Sequence, residues 1–484
     1  MAEIIPHWLS KQAFLAPNKP AIEQVDGTVI TFLELKNRSQ EFAQRLASYG
    51  IRKGSHVGIL SNNNSSMIVA IHALSYLGAV AVLFNTRLTS DEINYQLHDA
   101  EVEVLITADD LLDSAKDLKV NIVKSFQEVE EESRQDIALL SEFDLDDPIT
   151  IIYTSGTTGF PKGVIHTYGN HWWSAISSAL NLGLSEKDKW LAVLPYFHVG
   201  GLSIFLKSVI YGMPVYIVEK FNEQVVLDAI LNRGVTIASV VTVMMQRLIN
   251  LLGENRFPGY FRCMLLGGGP APKPLLEKAN EKHIPVFQSY GMTETSSQIV
   301  TLSPSDALVK IGSAGKPLFP AQLRISGNVP NEIGEITVKG PMVTGGYYNN
   351  QKATKNAFKD GWLYTGDLGY VDEEGFLYVV DRRKDLIISG GENIYPSEIE
   401  SVLSGFVGLQ EVAVIGIEDK VWGQVPAAFV VVNEEAITKA AIIEYAKGKL
   451  AKYKLPKEIY FVSSLPRNAS NKLVRSKLLD YIHR

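Results

Sequence analysis

The sequence has almost no cysteine, since only Cys263 among its 484 residues carries a thiol. A single cysteine cannot form a disulfide within the chain, which excludes a disulfide-stabilised scaffold and suits a reducing compartment. We expect Cys263 to be a small buried apolar residue rather than a nucleophile. The first residues also lack the basic start and apolar stretch of a secretory signal, so we expect a cytoplasmic protein.

An excess of positive charge is also missing. The chain has 46 Lys and Arg against 53 Asp and Glu, a formal net charge of −7. Nucleic-acid-binding domains normally carry a basic footprint, so this balance argues against that class of partner. The sequence contains neither the nucleotide loop G-x-x-x-x-G-K-[ST] nor the nucleophile motif G-x-S-x-G. No Cys/His cluster has the spacing of zinc ligands.

Long apolar runs are rare, and one stretch needs a test against a membrane span. Met67–Phe84 is uncharged and mostly apolar, but His72 interrupts it and Gly78 divides it. We therefore predict a buried helix over Ser65–Leu77, followed by a buried strand over Ala79–Phe84. The prediction is a protein with no membrane span.

The chain is longer than one hydrophobic core supports, since single cores stop growing at roughly 250–300 residues. Alternating strand and helix patterns predict an α/β protein whose large N-terminal domain, residues 1–383, has two mostly parallel sheets flanked by helices. After Gly334, short alternating runs predict antiparallel strands or a small β-barrel-like part of that domain. The remaining residues, 384–484, have their own helices and strands and predict a small α+β C-terminal domain.

One polar segment, Tyr153–Val164, carries the strongest chemical signal. It follows an apolar strand, and its glycines allow backbone N–H groups to converge on a phosphate. The alternative is a polar surface loop, but the preceding strand and the lysine favour phosphate binding. The predicted phosphate ligands are Thr154, Ser155, Gly156, Thr157, Thr158, Gly159 and Lys162.

This segment resembles the phosphate loop of the adenylate-forming superfamily, which includes acyl-CoA synthetases, luciferase and nonribosomal adenylation domains. Further motifs of that superfamily follow in order: YFHVGG (196–201), GGGP (267–270), SYGMTET (289–295), GWLYTGDLG (361–369), RRKDLIISGGEN (382–393) and PRNASNK (466–472). The resemblance implies an acid–thiol ligase that forms an acyl-AMP from ATP with Mg²⁺ and then transfers the acyl group to coenzyme A.

The same resemblance assigns a nucleotide site. Tyr290 would stack on the adenine, Asp367 would bind the ribose hydroxyls, and Glu294 with Thr154 would hold the magnesium ion. The nucleotide residues implied by the motifs are Gly268, Gly269, Pro270, Ser289, Tyr290, Gly291, Met292, Thr293, Asp367 and Arg382.

Two half-reactions imply two sets of residues in the C-terminal part. The resemblance makes Lys472 the catalytic cation of adenylation, although Asn471 stands where the family pattern has glycine. For the thiol step it implies a rotation of the small domain about a hinge at Lys384, which brings in Gly390 and Gly391. His198 is implied as a gate of the acyl pocket, with an acid–base role as the less favoured reading.

The acyl pocket is implied to draw on His198, Ser203, Ser239, Gly268, Gly291, Thr295 and Ser297, of which the serines make it more polar than a fatty-acid tunnel needs. Polar groups of this kind favour an acid with a second polar group. The compact length and the segments LFNTRL (83–88) and LPYFHVGGLSIF (194–205) carry a closer resemblance. Within the superfamily they make the chain similar to the ligases that join 2-succinylbenzoate to coenzyme A in menaquinone synthesis. Three alternatives stay open: a ligase for a plain aromatic or medium-chain acid, an enzyme that loads a carrier protein, and a non-catalytic nucleotide-binding regulator. A homo-oligomer is compatible with the sequence.

Overall fold

The computed structural model describes residues 3–154, 160–268, 271–326, 331–382, 386–432, 437–466 and 473–482. The chain divides into two units. The first contains Met1–Thr86, Leu97–Tyr153 and Gly163–Val380, and the second contains Arg87–Gln96, Thr154–Lys162 and Asp381–Arg484. The predicted boundary at residues 383 and 384 stays a prediction, since both positions lie outside the described residues.

The strands follow the chain in this order: β1 (Ile4–Pro6), β2 (Pro20–Gln24), β3 (Val29–Thr31), β4 (His56–Leu60), β5 (Val80–Phe84), β6 (Val104–Thr107), β7 (Ile122–Ser125), β8 (Glu142–Asp144), β9 (Pro148–Thr154), β10 (Lys162–Thr167), β11 (Trp190–Ala192), β12 (Val215–Ile217), β13 (Ile237–Val241), β14 (Cys263–Gly267), β15 (Val286–Met292), β16 (Ser297–Leu302), β17 (Ser313–Pro317), β18 (Gln322–Ile325), β19 (Gly334–Lys339), β20 (Phe358–Lys359), β21 (Trp362–Val371), β22 (Leu377–Arg382), β23 (Ile387–Ser389), β24 (Glu392–Ile394), β25 (Leu409–Asp419), β26 (Gly423–Val432) and β27 (Glu458–Phe461).

The helices are α1 (Trp8–Leu15), α2 (Phe32–Leu46), α3 (Ser65–Leu77), α4 (Ser90–Asp99), α5 (Leu112–Ala115), α6 (Phe126–Glu131), α7 (Tyr168–Leu182), α8 (Val199–Tyr211), α9 (Glu223–Asn232), α10 (Thr242–Leu252), α11 (Lys273–Glu281), α12 (Gln351–Ala357), α13 (Pro396–Leu403) and α14 (Lys439–Lys447). Short 3-10 turns include Thr293–Thr295.

A six-stranded sheet has the order β10-β9-β5-β4-β6-β7. The pairs β4–β5, β4–β6, β5–β9 and β6–β7 are parallel. This order places the ends of β9 and β10, which flank the predicted phosphate loop, on neighbouring strands. Parallel pairing with intervening helices confirms the predicted α/β class.

A second, larger sheet of 14 strands begins parallel and turns antiparallel. Its β11–β15 core is parallel, whereas β15–β16, β16–β17 and β18–β19 are antiparallel. Part of our prediction was wrong here, because in the described residues the strands after Gly334 close no barrel. They extend the large sheet instead, since β17 pairs with both β16 and β22.

The apolar run near residue 70 is buried, as predicted. The helix α3 is capped by the Asn64 side chain and ends at Gly78, whose φ of 65° suits glycine. The strand β5 follows and is buried throughout. In the described part of the chain, no helix is long and apolar enough to cross a membrane. Cys263 is also buried, and burial raises the pKa of its thiol to about 12, so it is no nucleophile.

The second unit has its own five-stranded sheet, ordered β24-β23-β26-β25 with β27 on β26. Both faces of β26 are covered because its side chains alternate. Ala428 and Val430 pack with α13 and α14, and Phe429 and Val431 belong to a separate apolar cluster with Leu478.

Candidate active site

The residues predicted to bind adenine and ribose lie side by side. Tyr290 is buried on β15, and its phenol donates a 2.8 Å hydrogen bond to Oδ2 of Asp367 on β21. The backbone N–H of Asp367 donates to Oγ1 of Thr365 at 3.1 Å, which fixes the turn that carries the carboxylate. The contact brings together two motifs that are 77 positions apart.

Gly291 follows Tyr290 where the register of β15 and β16 shifts. A Cβ at this position would lie 2.2 Å from the carbonyl oxygen of Ser297, so any other residue would push the two strands apart. Gly291 is therefore required by the approach of the two backbones, and its predicted contact with ligands stays a prediction.

Glu294 lies in the short turn after β15 and is buried. Its Oε1 accepts a 2.8 Å hydrogen bond from the phenol of Tyr347, and its backbone carbonyl accepts from the N–H of Thr344 at 2.8 Å. A held, buried carboxylate is a suitable ligand for magnesium, which prefers oxygen and usually combines few carboxylates with phosphates. The other predicted ligand, Thr154, belongs to the second unit.

A chain of neutral histidines supports the same turn. The Nε2 of His166 lies 2.7 Å from the carbonyl oxygen of Thr293, so this nitrogen must carry a proton and donate it. Its Nδ1 then accepts from the hydroxyl of Thr150 at 3.2 Å, and Thr150 lies 3.4 Å from Nε2 of His171. Burial lowers the pKa of His166 to about 4, which keeps it in this neutral form at pH 7.

The predicted acyl residues Ser203, Ser239 and His198 each make a separate contact. Ser203 on α8 lies with its hydroxyl 3.4 Å from that of Ser297 on β16. Ser239 on β13 accepts a 3.0 Å hydrogen bond from the indole N–H of Trp190. His198 precedes α8 and makes an edge contact with the ring of Phe197. Thr295, by contrast, is occupied with the backbone of its own turn, at Met292 and Ser297.

Our sequence analysis missed Lys207, which lies one turn after Ser203 on α8. Lys207 is 2% exposed, and its Nζ lies 5.7 Å from the ring centroid of Trp190. Within the described ranges it makes no ion pair and no hydrogen bond. Burial lowers its pKa to about 7, because the charged ammonium has lost its water. A single lysine within the apolar run 202–211 was the signal that could have identified it.

Other nucleotide residues have mixed outcomes. The hydroxyl of Ser289 donates to the carbonyl of Leu266 at 3.0 Å. Gly268 has a φ of 81°, which favours glycine whatever the surrounding space. Gly269, Pro270 and the side chain of Arg382 lie outside the described residues.

The two glycines predicted for the thiol step form a tight hairpin turn. Gly390 and Gly391 join β23 to β24 with φ of 57° and 89°, and Ser389 pairs with Glu392 across the turn. A Cβ on Gly390 would lie 2.7 Å from the ring of Trp422, so glycine is also needed for space.

Several predicted residues cannot be placed. Thr154 ends β9 and Lys162 begins β10, but Ser155, Gly156, Thr157, Thr158 and Gly159 between them lie outside the described residues. The same is true of the predicted catalytic Lys472 and the predicted hinge Lys384. Their roles stay predictions.

Comparison with known proteins identifies the family. A model of the AMP-binding enzyme family matches residues 9–348, and a model of the AMP-binding enzyme C-terminal domain matches residues 398–472. The chain belongs to the AMP-binding enzyme family. The first match contains the turn from Tyr290 to Glu294. The second contains Trp422 but begins after Gly390.

Individual relatives cover the whole chain. The 2-succinylbenzoate–CoA ligase of Oceanobacillus iheyensis is 60% identical over 480 residues, which are 99% of this chain and 100% of that protein. The o-succinylbenzoate CoA synthetase of Bacillus subtilis, solved as a double mutant with its product analogue OSB-NCoA, is 48% identical with a TM-score of 0.94, covering 99% and 98% of the two chains. The same synthetase with ATP and magnesium ion has a TM-score of 0.77 at 48% identity, covering 99% and 100%.

Proposed function

We propose that the protein is an AMP-forming ligase that joins 2-succinylbenzoate to coenzyme A. In the first step a carboxylate attacks the α-phosphorus of ATP, which gives acyl-AMP and releases pyrophosphate. In the second step the thiol of coenzyme A attacks the acyl carbon, which gives the thioester and releases AMP. Membership of the AMP-binding enzyme family and the ligases at 48–60% identity support this reaction class.

The buried, unpaired Lys207 carries the choice of acid. An ammonium buried without a counter-ion is unfavourable, as its lowered pKa indicates. A carboxylate beside it would restore the charged form. An acid with one carboxylate must use that group in the reaction, whereas 2-succinylbenzoate has a second carboxylate to offer Lys207.

The position of Lys207 fits this role. It lies on α8 with Ser203, which contacts Ser297, and beside Trp190, which bonds to Ser239. Trp190 thus links the ammonium to Ser239, and Ser203 lies four positions before Lys207 on the same helix. The same face of α8 brings polar groups and a cation into an otherwise apolar layer, which a fatty-acid pocket does not need.

The nucleotide half of the reaction uses the other cluster. Tyr290 supplies a flat aromatic face for the adenine, and Asp367 accepts hydrogen bonds from the ribose hydroxyls. Glu294 and Thr154 would hold Mg²⁺, which supplies charge neutralisation of the phosphates when it is bound. Lys472 would stabilise the negative charge that develops during adenylation.

The experiment that tests this proposal is a pyrophosphate-release assay with ATP, Mg²⁺, coenzyme A and one of four acids. They are 2-succinylbenzoate, 4-oxo-4-phenylbutanoate without the ring carboxylate, 2-butanoylbenzoate without the side-chain carboxylate, and octanoate. We expect rapid turnover of 2-succinylbenzoate. Of the two analogues, the one that keeps the carboxylate used in the reaction should turn over weakly, and the one that lacks it should not turn over. Equal kcat/KM for 2-succinylbenzoate and either analogue, or a strong preference for octanoate, would contradict it.

A matched pair of variants assigns the selectivity to Lys207. Lys207→Met should lower kcat/KM for 2-succinylbenzoate by about 10²-fold, since losing one partner of a buried charge pair costs about 2–5 kcal/mol. The same change should leave the weak turnover of the reactive analogue within a few-fold. Lys53→Met, which removes an exposed lysine paired with Asp147, is the control.

The acceptor distinguishes the remaining alternatives. We propose free coenzyme A, and a carrier-protein-loading enzyme would instead need a phosphopantetheinylated carrier for the second step. A regulator would release no pyrophosphate with any acid. We also propose a cytoplasmic location, where ATP and coenzyme A are available and a lone cysteine stays reduced.

A further inference from the structure

We propose that Tyr347 is a positioning residue for magnesium-dependent nucleotide binding, because its phenol holds the Glu294 carboxylate in the orientation that binds the cation. No motif of the sequence analysis included Tyr347. The inference rests on the proposed use of MgATP, and it is independent of which acid the enzyme activates.

The first support is the contact itself. The Tyr347 phenol donates to Oε1 of Glu294 at 2.8 Å, and Glu294 is 5% exposed. A buried carboxylate needs hydrogen bonds, and one donor at a fixed position restricts the rotation of the group. Hydrogen bonds to ligating carboxylates are a general feature of metal sites, and losing them typically costs about 10–100-fold in metal affinity or activity.

The second support is the rigidity of the Tyr347 backbone. Its N–H donates to Oγ1 of Thr354 at 3.0 Å, and it forms an antiparallel bridge with Val164. The next N–H, of Tyr348, donates to the carbonyl of Gly163 at 2.8 Å. The phenol therefore comes from a segment tied to β10, the strand that leaves the predicted phosphate loop.

The third support is that Glu294's backbone is held by other groups. Thr344 donates its N–H to the Glu294 carbonyl at 2.8 Å, and His166 donates to the Thr293 carbonyl at 2.7 Å. Removing the Tyr347 hydroxyl therefore leaves these backbone hydrogen bonds of the turn in place and removes one donor from the carboxylate. If Tyr347 were purely structural, its substitution would lower the stability of the whole protein. If it positions Glu294, the substitution lowers only the magnesium-dependent affinity for the nucleotide.

The chain offers a matched control at the next residue. The phenol of Tyr348 donates to Oε2 of Glu101 at 2.7 Å, so Tyr348→Phe also removes one phenol–carboxylate bond from the same segment. Tyr347→Phe and Tyr348→Phe differ in which carboxylate loses its donor. Thermal unfolding of both variants checks that each is folded.

The experiment is calorimetric titration of a non-hydrolysable ATP analogue that has a methylene between the α- and β-phosphates. The titration is done once with Mg²⁺ at about 5 mM, an excess over the analogue, and once in EDTA. No acid is present, so failure of the 2-succinylbenzoate proposal would not affect the result. We expect Tyr347→Phe to weaken binding about 10-fold or more in Mg²⁺ and less than about two-fold in EDTA. Tyr348→Phe should match the wild type in both.

Two results would overturn the proposal. Unchanged affinity of Tyr347→Phe in Mg²⁺ would mean that the phenol has no effect on the metal. Equal loss in Mg²⁺ and EDTA would mean that Tyr347 only supports the packing of the nucleotide site. Mn²⁺ titration followed by electron paramagnetic resonance gives a second readout, in which Tyr347→Phe should leave more free Mn²⁺ at the same nucleotide concentration.

Discussion

The phenol of Tyr290 donates a 2.8 Å hydrogen bond to Oδ2 of Asp367, so the aromatic ring and the carboxylate of the proposed nucleotide site are one hydrogen-bonded pair. Each side chain fixes the other: the carboxylate holds the ring plane, and the phenol occupies one oxygen of the carboxylate. The ribose contact proposed for Asp367 therefore depends on Tyr290.

This pair predicts the effect of Tyr290→Phe, which keeps the ring but removes the hydrogen bond to Asp367. We expect the KM for ATP to rise about 10-fold, because hydrogen bonds to charged groups contribute about 1.5–3 kcal/mol. Steady-state kinetics at saturating acid measure it. Tyr260→Phe is the control, since its hydroxyl donates only to the backbone of Ile230 and Leu231. An unchanged KM for ATP would mean that the ribose contact proposed for Asp367 does not depend on Tyr290.

The pKa of Lys207 predicts a pH dependence. The titratable group beside it, His171 on α7, is kept neutral by burial, which lowers its pKa. The ammonium itself therefore titrates, with a pKa of about 7. Above pH 7 the free enzyme loses the cation, and kcat/KM for 2-succinylbenzoate should fall about 10-fold per pH unit. Lys207→Arg keeps its charge, so its profile should be flat to pH 9. Identical profiles for the two proteins would contradict this account.

In the second unit, Lys454 predicts a large effect on stability. Its Nζ lies 2.6 Å from Oε1 of Glu92 and 2.7 Å from Oε1 of Glu398, and burial raises the pKa of Glu398. Lys454→Met leaves two carboxylates buried together, so we expect a loss of about 3–5 kcal/mol in the unfolding free energy of this unit.

Urea unfolding combined with hydrogen exchange of the peptides around Glu92 and Glu398 measures this loss. Lys447→Met removes an exposed partner of Glu444 and should change stability by less than about 1 kcal/mol. If Lys454→Met were as stable as this control, the triad would contribute nothing.

The two half-reactions predict opposite defects. Lys472→Ala should slow acyl-AMP formation by about 10²–10³-fold and spare thioester formation from a preformed acyl-adenylate. Gly391→Leu should slow thioester formation and spare acyl-AMP formation, since a side chain at this hairpin turn would obstruct the proposed thiol step. Single-turnover assays of each step separate them, with Lys477→Ala as the lysine control. Equal loss in both steps for Lys472→Ala would refute the division of labour.

The sequence was a good guide where local pattern and burial agree. Ser65–Leu77 was predicted as a helix because an uncharged run ended at Gly78, and the structure has those bounds. The start of α8 at Val199 is harder to predict, since two glycines lie in its first turn. Gly201 is needed there because a Cβ would lie 2.2 Å from the carbonyl oxygen of Pro195.

The site was predictable only as far as the motifs reached. Tyr290, Glu294 and Asp367 were found from their motifs, whereas Lys207 and Tyr347 were not. Lys207 is recognised as unusual only when the structure shows that α8 is buried. Tyr347 is recognised only from its contact with Glu294, which lies 53 positions earlier in the chain. The barrel-like part was wrong because a period of two indicates strands but not which sheet they join.

The most direct test is analysis of the products after incubation with 2-succinylbenzoate, ATP, Mg²⁺ and coenzyme A. Mass spectrometry and nucleotide chromatography should find 2-succinylbenzoyl-CoA, AMP and pyrophosphate in equal amounts, and acyl-AMP when coenzyme A is left out. ADP and phosphate as products, or no thioester from this acid under any of these conditions, would contradict the account.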